Sequence, residues 1–126
     1  MPDKIQLTDA EWAIIKQVWQ SEPVPAPTVQ EALAKERGWS YSTVRTLMDR
    51  MVVKGLLTSE KLRNLTLFRS AVRQTDAQKS EVLATLKNAF SGAFAPFMQC
   101  LLESQDLTEP ELRALEKLIK AKKKKK

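Results

Sequence analysis

The residues best suited to chemistry lie together between positions 40 and 50. They combine small hydroxyls, one phenol and two guanidinium groups: Ser40, Tyr41, Ser42, Thr43, Arg45, Thr46 and Arg50. Small hydroxyl residues permit close approach to a duplex, and an arginine such as Arg45 can contact guanine through two hydrogen bonds in the major groove. The pattern therefore indicates a surface that reads duplex DNA.

Each of these side chains also has an ordinary structural explanation. Arg45 and Asp49 lie one helical turn apart and could form a solvated ion pair worth roughly a few tenths of a kcal/mol. Hydroxyl residues at the start of a helix often serve only as its cap. The sequence leaves these explanations open, and it also leaves open a protein-interaction module whose basic face meets an acidic partner.

Basic residues concentrate around the same segment. Residues 39–73 carry 7 basic and 2 acidic groups, whereas residues 1–38 carry 4 and 6 and residues 74–119 carry 4 and 7. Contacts to phosphates provide affinity and register without sequence information. This pattern favours DNA binding, and we expect four cations to neutralise flanking phosphates: Arg50, Lys54, Arg63 and Arg69.

The composition argues against several other classes of protein. The 126 residues include no His and one Cys, so a Ser-His or Cys-His nucleophile pair, a Cys/His zinc cage and an intramolecular disulfide cannot be built. We also find no Gly-rich phosphate loop, no signal-peptide pattern and no apolar run near the roughly 20 residues of a membrane span. The sequence predicts a cytoplasmic binding protein without catalysis, metal or cofactor.

Three helices are predicted to position the basic segment. Thr8 and Glu11 form a capping box at the first start, and the helix runs to about Gln20. The second helix begins at Pro25 and Pro27, buries Val29, Ala32 and Leu33, and stops at Gly38. The third has Ser40 as its N-cap and Gly55 as its stop. Its apolar stripe is Val44, Leu47, Met48 and Met51.

Two short extended segments follow, at 56–61 and 65–71, and are predicted to form a hairpin. The order of three helices and a hairpin is typical of a winged helix-turn-helix. We therefore expect a mainly α fold with a small β-hairpin wing, in which residues 1–73 form the DNA-binding domain. Trp12, Trp19 and Trp39 are interpreted as core residues and not as platforms for base stacking.

Three further helices are predicted over residues 74–120, the last opened by a second capping box at Thr108 and Glu111. Their apolar stripes exceed what three helices can cover among themselves. We therefore expect a three-helix dimerisation region, with packing onto the first domain as the alternative. The predicted interface residues are Leu83, Leu86, Phe90, Phe94, Phe97, Met98, Leu101, Leu102, Leu115, Leu118 and Ile119. The lysine-rich residues 121–126 are expected to form a disordered tail that adds salt-sensitive attraction to DNA.

From about Leu7 to Ile119 the sequence resembles the penicillinase-repressor family, the BlaI/MecI/CopY-type regulators of bacteria. The motifs that carry the resemblance are Leu7-Thr8-Asp9-Ala10-Glu11-Trp12, Val18-Trp19, the segment from Trp39 to Met51, Lys54-Gly55-Leu56, and Asp106-Leu107-Thr108 onward to Leu115. The segment from Trp39 to Met51 is the most specific of these motifs.

The resemblance implies a homodimeric transcriptional repressor that covers a promoter palindrome, typically with TACA/TGTA-like half-sites, and blocks polymerase. It also implies that Ser40, Ser42, Thr43, Arg45, Thr46 and Arg50 match the family's DNA-contacting positions. Some members are released when a sensor protease triggers cleavage of the dimerisation region, and that cleavage point aligns near Cys100-Leu101. Others bind copper through Cys-x-Cys motifs, which this chain lacks. We expect Cys100 to be a small buried hydrophobe, either of the core or of the interface between chains.

Overall fold

A computed structural model describes residues 5–104 and 106–124. The chain is mainly helical, with one small antiparallel sheet, as the sequence predicts. The elements are α1 (Asp9–Ser21), β1 (Val24–Pro25), α2 (Ala26–Arg37), α3 (Tyr41–Lys54), β2 (Leu57–Leu62), β3 (Leu65–Ser70), α4 (Gln74–Phe90), α5 (Phe94–Ser104) and α6 (Glu109–Lys124). They fall into two compact units that divide between Val82 and Leu83, within α4.

Local signals set the ends of the first three helices. The Thr8 hydroxyl accepts a hydrogen bond from the Glu11 amide at 3.2 Å, and the Glu11 carboxylate accepts one from the Thr8 amide at 2.9 Å, which confirms the capping box. Ser40 caps α3 as predicted. Gly38 and Gly55 end α2 and α3 at φ values of 65° and 87°, a left-handed conformation that glycine adopts without steric penalty.

The core of the first unit lies between these helices and the sheet. Its largest fully buried side chains are Phe68, Ile14, Ile15, Leu33, Met48, Met51, Leu57, Val18, Val29 and Val44. The three tryptophans pack against this core from its rim. The prediction that Ala32 is buried is wrong, because α2 presents Ala26, Val29 and Leu33 to the core and Ala32 lies roughly 90° away around the helix.

The sheet has the strand order β1-β3-β2, and both pairings are antiparallel. Leu62 pairs with Leu65, so the hairpin turn consists of Arg63 and Asn64 and is one residue shorter than the predicted connection. The sequence did not reveal β1, because two residues that include a proline carry no period-two pattern. Its Val24 pairs with Phe68 and extends the sheet beside the hairpin.

In the second unit the predicted capping box of α6 is confirmed, with the Glu111 carboxylate 2.9 Å from the Thr108 amide. These hydrogen bonds from Thr108 hold the pKa of Glu111 below its ordinary value. Phe90 and Phe97 meet edge to face at 5.4 Å.

Two predictions for this unit need correction. Cys100 is exposed in the single chain and is not a core residue, because it lies roughly 110° around α5 from the partly buried Phe97 and Met98. Its place in an interface between chains stays a prediction. The predicted disordered tail is helical as far as Lys124, because lysine is a good helix former and its charge is favourable at a helix C-terminus. Residues 125 and 126 lie outside the described residues.

Candidate nucleic-acid interface

One side of α3 faces away from the core. Ser42, Thr46, Asp49 and Val53 follow each other at helical spacing, and all four are exposed. The opposite side of the helix carries the fully buried Val44, Met48 and Met51. The apolar side of α3 therefore packs against the core, and the side that carries Ser42, Thr46, Asp49 and Val53 is open to a partner. We call this exposed side the α3 ridge.

The two arginines of α3 flank this ridge. Because Arg45 and Arg50 are five positions apart, they project roughly 140° apart around the helix, one on either side of the ridge. Arg50 is exposed, whereas Arg45 is half-buried toward the sheet. The arrangement places a cation at each border of a surface that carries two small hydroxyls, one carboxylate and one exposed valine.

Arg45 is held by three neighbours. Its Nε lies 3.1 Å from Asp49 Oδ1, its Nη1 lies 3.4 Å from the Tyr41 hydroxyl, and its guanidinium lies 5.5 Å from the centroid of the Phe68 ring. The hydrogen bonds to Tyr41 and Asp49 raise the pKa of Arg45 above its ordinary value. The ion pair that the sequence left open is therefore present in the free chain, and a base contact by Arg45 stays a prediction.

The N-terminus of α3 is built from hydroxyls. The Ser40 hydroxyl accepts a hydrogen bond from the Thr43 amide at 3.2 Å and lies 3.1 Å from the hydroxyls of Ser42 and Thr43. The first turn contains no acidic residue, in contrast to α1, where Asp9 and Glu11 occupy it. The partial positive charge at the start of α3 is therefore not offset by a carboxylate of its own first turn.

The position of that N-terminus is fixed from α2. Gln30 Nε2 donates to the Trp39 carbonyl oxygen at 3.0 Å, and the Arg37 guanidinium lies 5.3 Å from the centroid of the Trp39 ring. Arg37 also pairs with Asp9 at 2.9 Å. These contacts tie the α2–α3 turn to both preceding helices.

The hairpin adds two more predicted cations. Arg63 is exposed at the tip of the hairpin, where its φ of 61° is unusual for a residue other than glycine. Arg69 forms an exposed pair with Glu60 of the neighbouring strand at 3.3 Å. An exposed pair of this kind is easily exchanged for another anion, since such pairs contribute about 0–1 kcal/mol.

The base of the hairpin is anchored by α1 and the turn that follows it. The Trp19 indole donates to the Ser70 hydroxyl at 2.8 Å and to the Val72 carbonyl at 3.3 Å. The Glu22 carboxylate accepts from the Ser70 amide at 2.7 Å. Sequence reasoning missed these contacts, because about fifty residues separate the partners and no local pattern connects them.

Lys54, which the sequence places among the phosphate contacts, has a structural partner. Its Nζ lies 2.8 and 3.0 Å from the two carboxylate oxygens of Glu11, which is only 7% exposed. Burial raises the pKa of Glu11, but the hydrogen bonds from Lys54 and Thr8 outweigh it and hold that pKa below its ordinary value. The sequence showed the capping role of Glu11 but not its pairing with α3.

The described residues, 5–104 and 106–124, contain no cluster of three or more side chains suited to hold a metal ion. None of the helices within these ranges combines the length and the apolar character that crossing a membrane requires.

The sequence of this chain, including the surface described above, matches a known protein family. A sequence profile described as "Penicillinase repressor" matches residues 7–121. The chain belongs to the penicillinase repressor family. The resemblance seen in the sequence is therefore confirmed, and it covers both units.

Named relatives agree with this assignment. The methicillin resistance regulatory protein MecI of Mammaliicoccus sciuri is 24% identical over 117 residues, which cover 93% of this chain and 95% of MecI. The penicillinase repressor of Bacillus licheniformis is 23% identical, over 90% of this chain and 89% of that protein.

Two solved structures resemble the penicillinase-repressor chain described here. One is the solution structure of the DNA-binding domain of the repressor BlaI, and the other is Bacillus licheniformis BlaI in monomeric form in complex with the blaP half-operator. Each has a TM-score of 0.52 and 26% sequence identity and covers 60% of this chain and 93% of the other. The winged-helix prediction is thereby confirmed.

Proposed function

We propose that this chain is a sequence-specific DNA-binding transcriptional repressor that acts as a homodimer on palindromic operators. One observation carries the proposal: the α3 ridge, bordered by Arg45 and Arg50, is exposed on a winged helix similar to that of BlaI, which is known in complex with a half-operator. The protein has no catalytic role in this proposal.

In the proposed complex the N-terminal half of α3 enters the major groove. Hydroxyls and the phenol line the entering surface, and Arg45 contacts a base edge. Arg50, Arg63 and Arg69 contact the flanking phosphates, which gives affinity and register. The full proposed site is Ser40, Tyr41, Ser42, Thr43, Arg45, Thr46, Arg50, Arg63 and Arg69, with Lys54 at its border because Glu11 already holds its ammonium group.

The ion pair of Arg45 does not prevent this role. An exposed pair one helical turn apart contributes about 0.3–0.5 kcal/mol, whereas a bidentate contact to guanine discriminates by about 1–3 kcal/mol. Exchanging Asp49 for a base edge is therefore favourable overall. The contacts to Tyr41 and Phe68 orient the side chain before binding, which lowers the entropy lost on binding.

Dimerisation through residues 74–120 is supported by the exposure of apolar side chains. Within the described residues neither α5 nor α6 has a buried side chain. Six of the predicted interface residues are exposed and five are partly buried. The exposed ones are Leu83, Phe94, Leu101, Leu102, Leu118 and Ile119. A second copy of the chain covers such a surface and brings a second α3 to the other half of a palindrome.

Release is proposed to follow from cleavage near the Cys100–Leu101 bond by a sensor protease. Both residues are exposed, and the bond lies within α5. A protease binds its substrate in extended form, so this stretch of α5 must first unwind. Cleavage there separates α6 from the DNA-binding half of the chain. It also removes five of the proposed interface residues from that half: Leu101, Leu102, Leu115, Leu118 and Ile119.

The test is binding to duplexes selected from a random pool, with a scrambled duplex of equal length and composition as control. A repressor is expected to prefer a palindrome by 10³-fold or more and to lose affinity steeply with salt. Equal affinity for both duplexes would contradict the proposal and favour the protein-interaction module. Analytical ultracentrifugation of the complex then tells whether two chains occupy one palindrome.

A further inference from the structure

A second basic surface lies on α6, away from the winged helix in sequence. Arg113, Lys117, Lys120 and Lys124 are spaced four, three and four residues apart, which aligns them along one side of the helix. All four are exposed. We call this row the α6 basic ridge.

The α6 basic ridge is separate from the apolar side of the same helix. Leu112, Leu115 and Ile119 form a stripe centred roughly 140° around the helix from the ridge. A second copy of the chain can therefore cover the apolar stripe while the ridge stays open to another partner. Dimerisation through the apolar stripe and binding of another partner to the α6 basic ridge can therefore occur at the same time.

Two carboxylates, Glu109 and Glu116, lie one helical turn before Arg113 and Lys120, and in the described residues Glu109 is the one that pairs with the ridge. Arg113 lies 3.8 Å from Glu109, and both side chains are about three-quarters exposed. In the part of the chain that the structure describes, neither Lys117, Lys120 nor Lys124 forms an ion pair. Residues 117–126 contain seven lysines and no acidic residue, whereas residues 83–116 contain 2 basic and 5 acidic residues. The cations of this half of the chain are thus gathered at one end.

We propose that the α6 basic ridge binds the phosphate backbone of duplex DNA as a sequence-independent contact, additional to α3. The inference rests on the proposed function. From Arg113 to Lys124 the helix rises about 16 Å, a length over which one strand of a duplex presents roughly five phosphates when measured along the duplex axis. A membrane surface is the less suitable partner, because α6 has no aromatic residue and its apolar stripe is assigned to the dimer.

The experiment uses the full chain and the variant Lys117→Gln/Lys120→Gln/Lys124→Gln, because glutamine keeps the helix propensity and removes the charge. Binding to a scrambled duplex is measured over a range of salt concentrations. We expect the slope of log affinity against log salt to become shallower by about 2–3 and the preference for the palindrome over the scrambled duplex to stay unchanged. Circular dichroism checks that the helix content is preserved.

Two control variants separate the ridge from net charge. Lys117→Arg/Lys120→Arg/Lys124→Arg keeps the cations and is expected to retain the original slope. Lys16→Gln/Lys79→Gln/Lys87→Gln removes the same number of charges elsewhere and is expected to change the slope by less than 1. An equal change in this variant and in the ridge variant would overturn the inference, because net charge alone would then explain the loss.

The remaining outcomes distinguish the inference from the proposed function. An unchanged slope in the ridge variant, with palindrome preference intact, overturns the ridge and leaves the repressor standing. A shallower slope in a protein without palindrome preference supports the ridge and overturns the repressor. Binding to phosphatidylglycerol vesicles that is lost in the ridge variant, while the DNA slope is unchanged, assigns the ridge to membranes and overturns the inference.

Discussion

Arg45 has different partners in the free chain and in the proposed complex with DNA. In the free chain its guanidinium contacts Asp49, Tyr41 and Phe68, and in the proposed complex it exchanges the carboxylate for a base. Arg45 therefore either reads the base sequence or only stabilises α3, and the two roles predict different effects of its removal.

Replacing Arg45 with Ala is expected to weaken binding to the palindrome by about 1–3 kcal/mol, because the two hydrogen bonds to the base are lost. Binding to a scrambled duplex should fall much less, which fluorescence anisotropy on both duplexes measures. Asp49→Asn is the matched control, since it breaks the same ion pair and keeps the guanidinium. Equal losses on both duplexes for Arg45→Ala would show that Arg45 does not read the base.

The pair of Lys54 and Glu11 makes a prediction about stability. Lys54→Met leaves the buried carboxylate without its cation and is expected to lower the free energy of unfolding by about 1–3 kcal/mol at pH 7. Urea denaturation measures the change. Lys61→Met, at an exposed position of β2, is the control and should cost less than about 0.5 kcal/mol.

The same pair sets a dependence on pH. The folded pKa of Glu11 lies below the ordinary value of 4.5, so the contribution of the pair is complete above 4.5 and is lost as the pH falls through the folded pKa. Glu11→Gln is expected to reduce the loss of stability between pH 6 and pH 3 relative to the original chain. Urea denaturation at each pH measures this loss. If the urea midpoint fell as much between pH 6 and pH 3 in Glu11→Gln as in the original chain, the prediction would be contradicted.

Helix ends were predictable from sequence because caps are local. The hydroxyl and carboxylate of a capping box lie three residues apart, and a glycine that ends a helix is a single residue. The sequence therefore predicted the correct caps and ends at Thr8, Ser40, Gly38 and Gly55. The elements that depend on distant partners were not predictable. Strand β1 exists only through its pairing with β3.

The candidate site also has one part that was predictable from the sequence and one part that was not. The exposed side of α3 follows from helical periodicity, so the sequence placed the hydroxyls and arginines on the correct element. The position of Arg45 against Phe68 and the capture of Lys54 by Glu11 join residues 23 and 43 positions apart. Such tertiary contacts decide which cations are free to bind a partner, and no pattern within a short window reveals them.

At the scale of elements, the hairpin depends on its anchor to α1. Trp19→Phe keeps most of the apolar surface and removes the indole N–H that bonds to Ser70 and Val72. We expect a loss of about 1 kcal/mol in the free energy of unfolding and faster amide hydrogen exchange in β3. Trp39→Phe is the control, because Trp39 contacts Gln30 and Arg37 of α2, and it should leave exchange in β3 unchanged. Equal exchange in the Trp19 variant and the original chain would show that the anchor is dispensable.

At the scale of the whole molecule, the exposed apolar side chains of α5 and α6 predict association. Leu101→Asp and Leu118→Asp are each expected to produce monomers with poor operator affinity, because a carboxylate would be buried without a partner in the dimer. Sedimentation velocity measures the particle mass. Val53→Asp, at an 88% exposed apolar position of α3, should leave the mass unchanged. Unchanged masses for both leucine variants would exclude this interface.

The turn at the hairpin tip has a further consequence. A left-handed residue other than glycine costs roughly 1–2 kcal/mol, yet position 63 holds arginine at a φ of 61°. Glycine would relax the backbone there and would remove an exposed cation from the tip of the hairpin. Low backbone energy and positive charge therefore favour different residues at position 63. In this chain the position holds the charged residue and has the strained backbone.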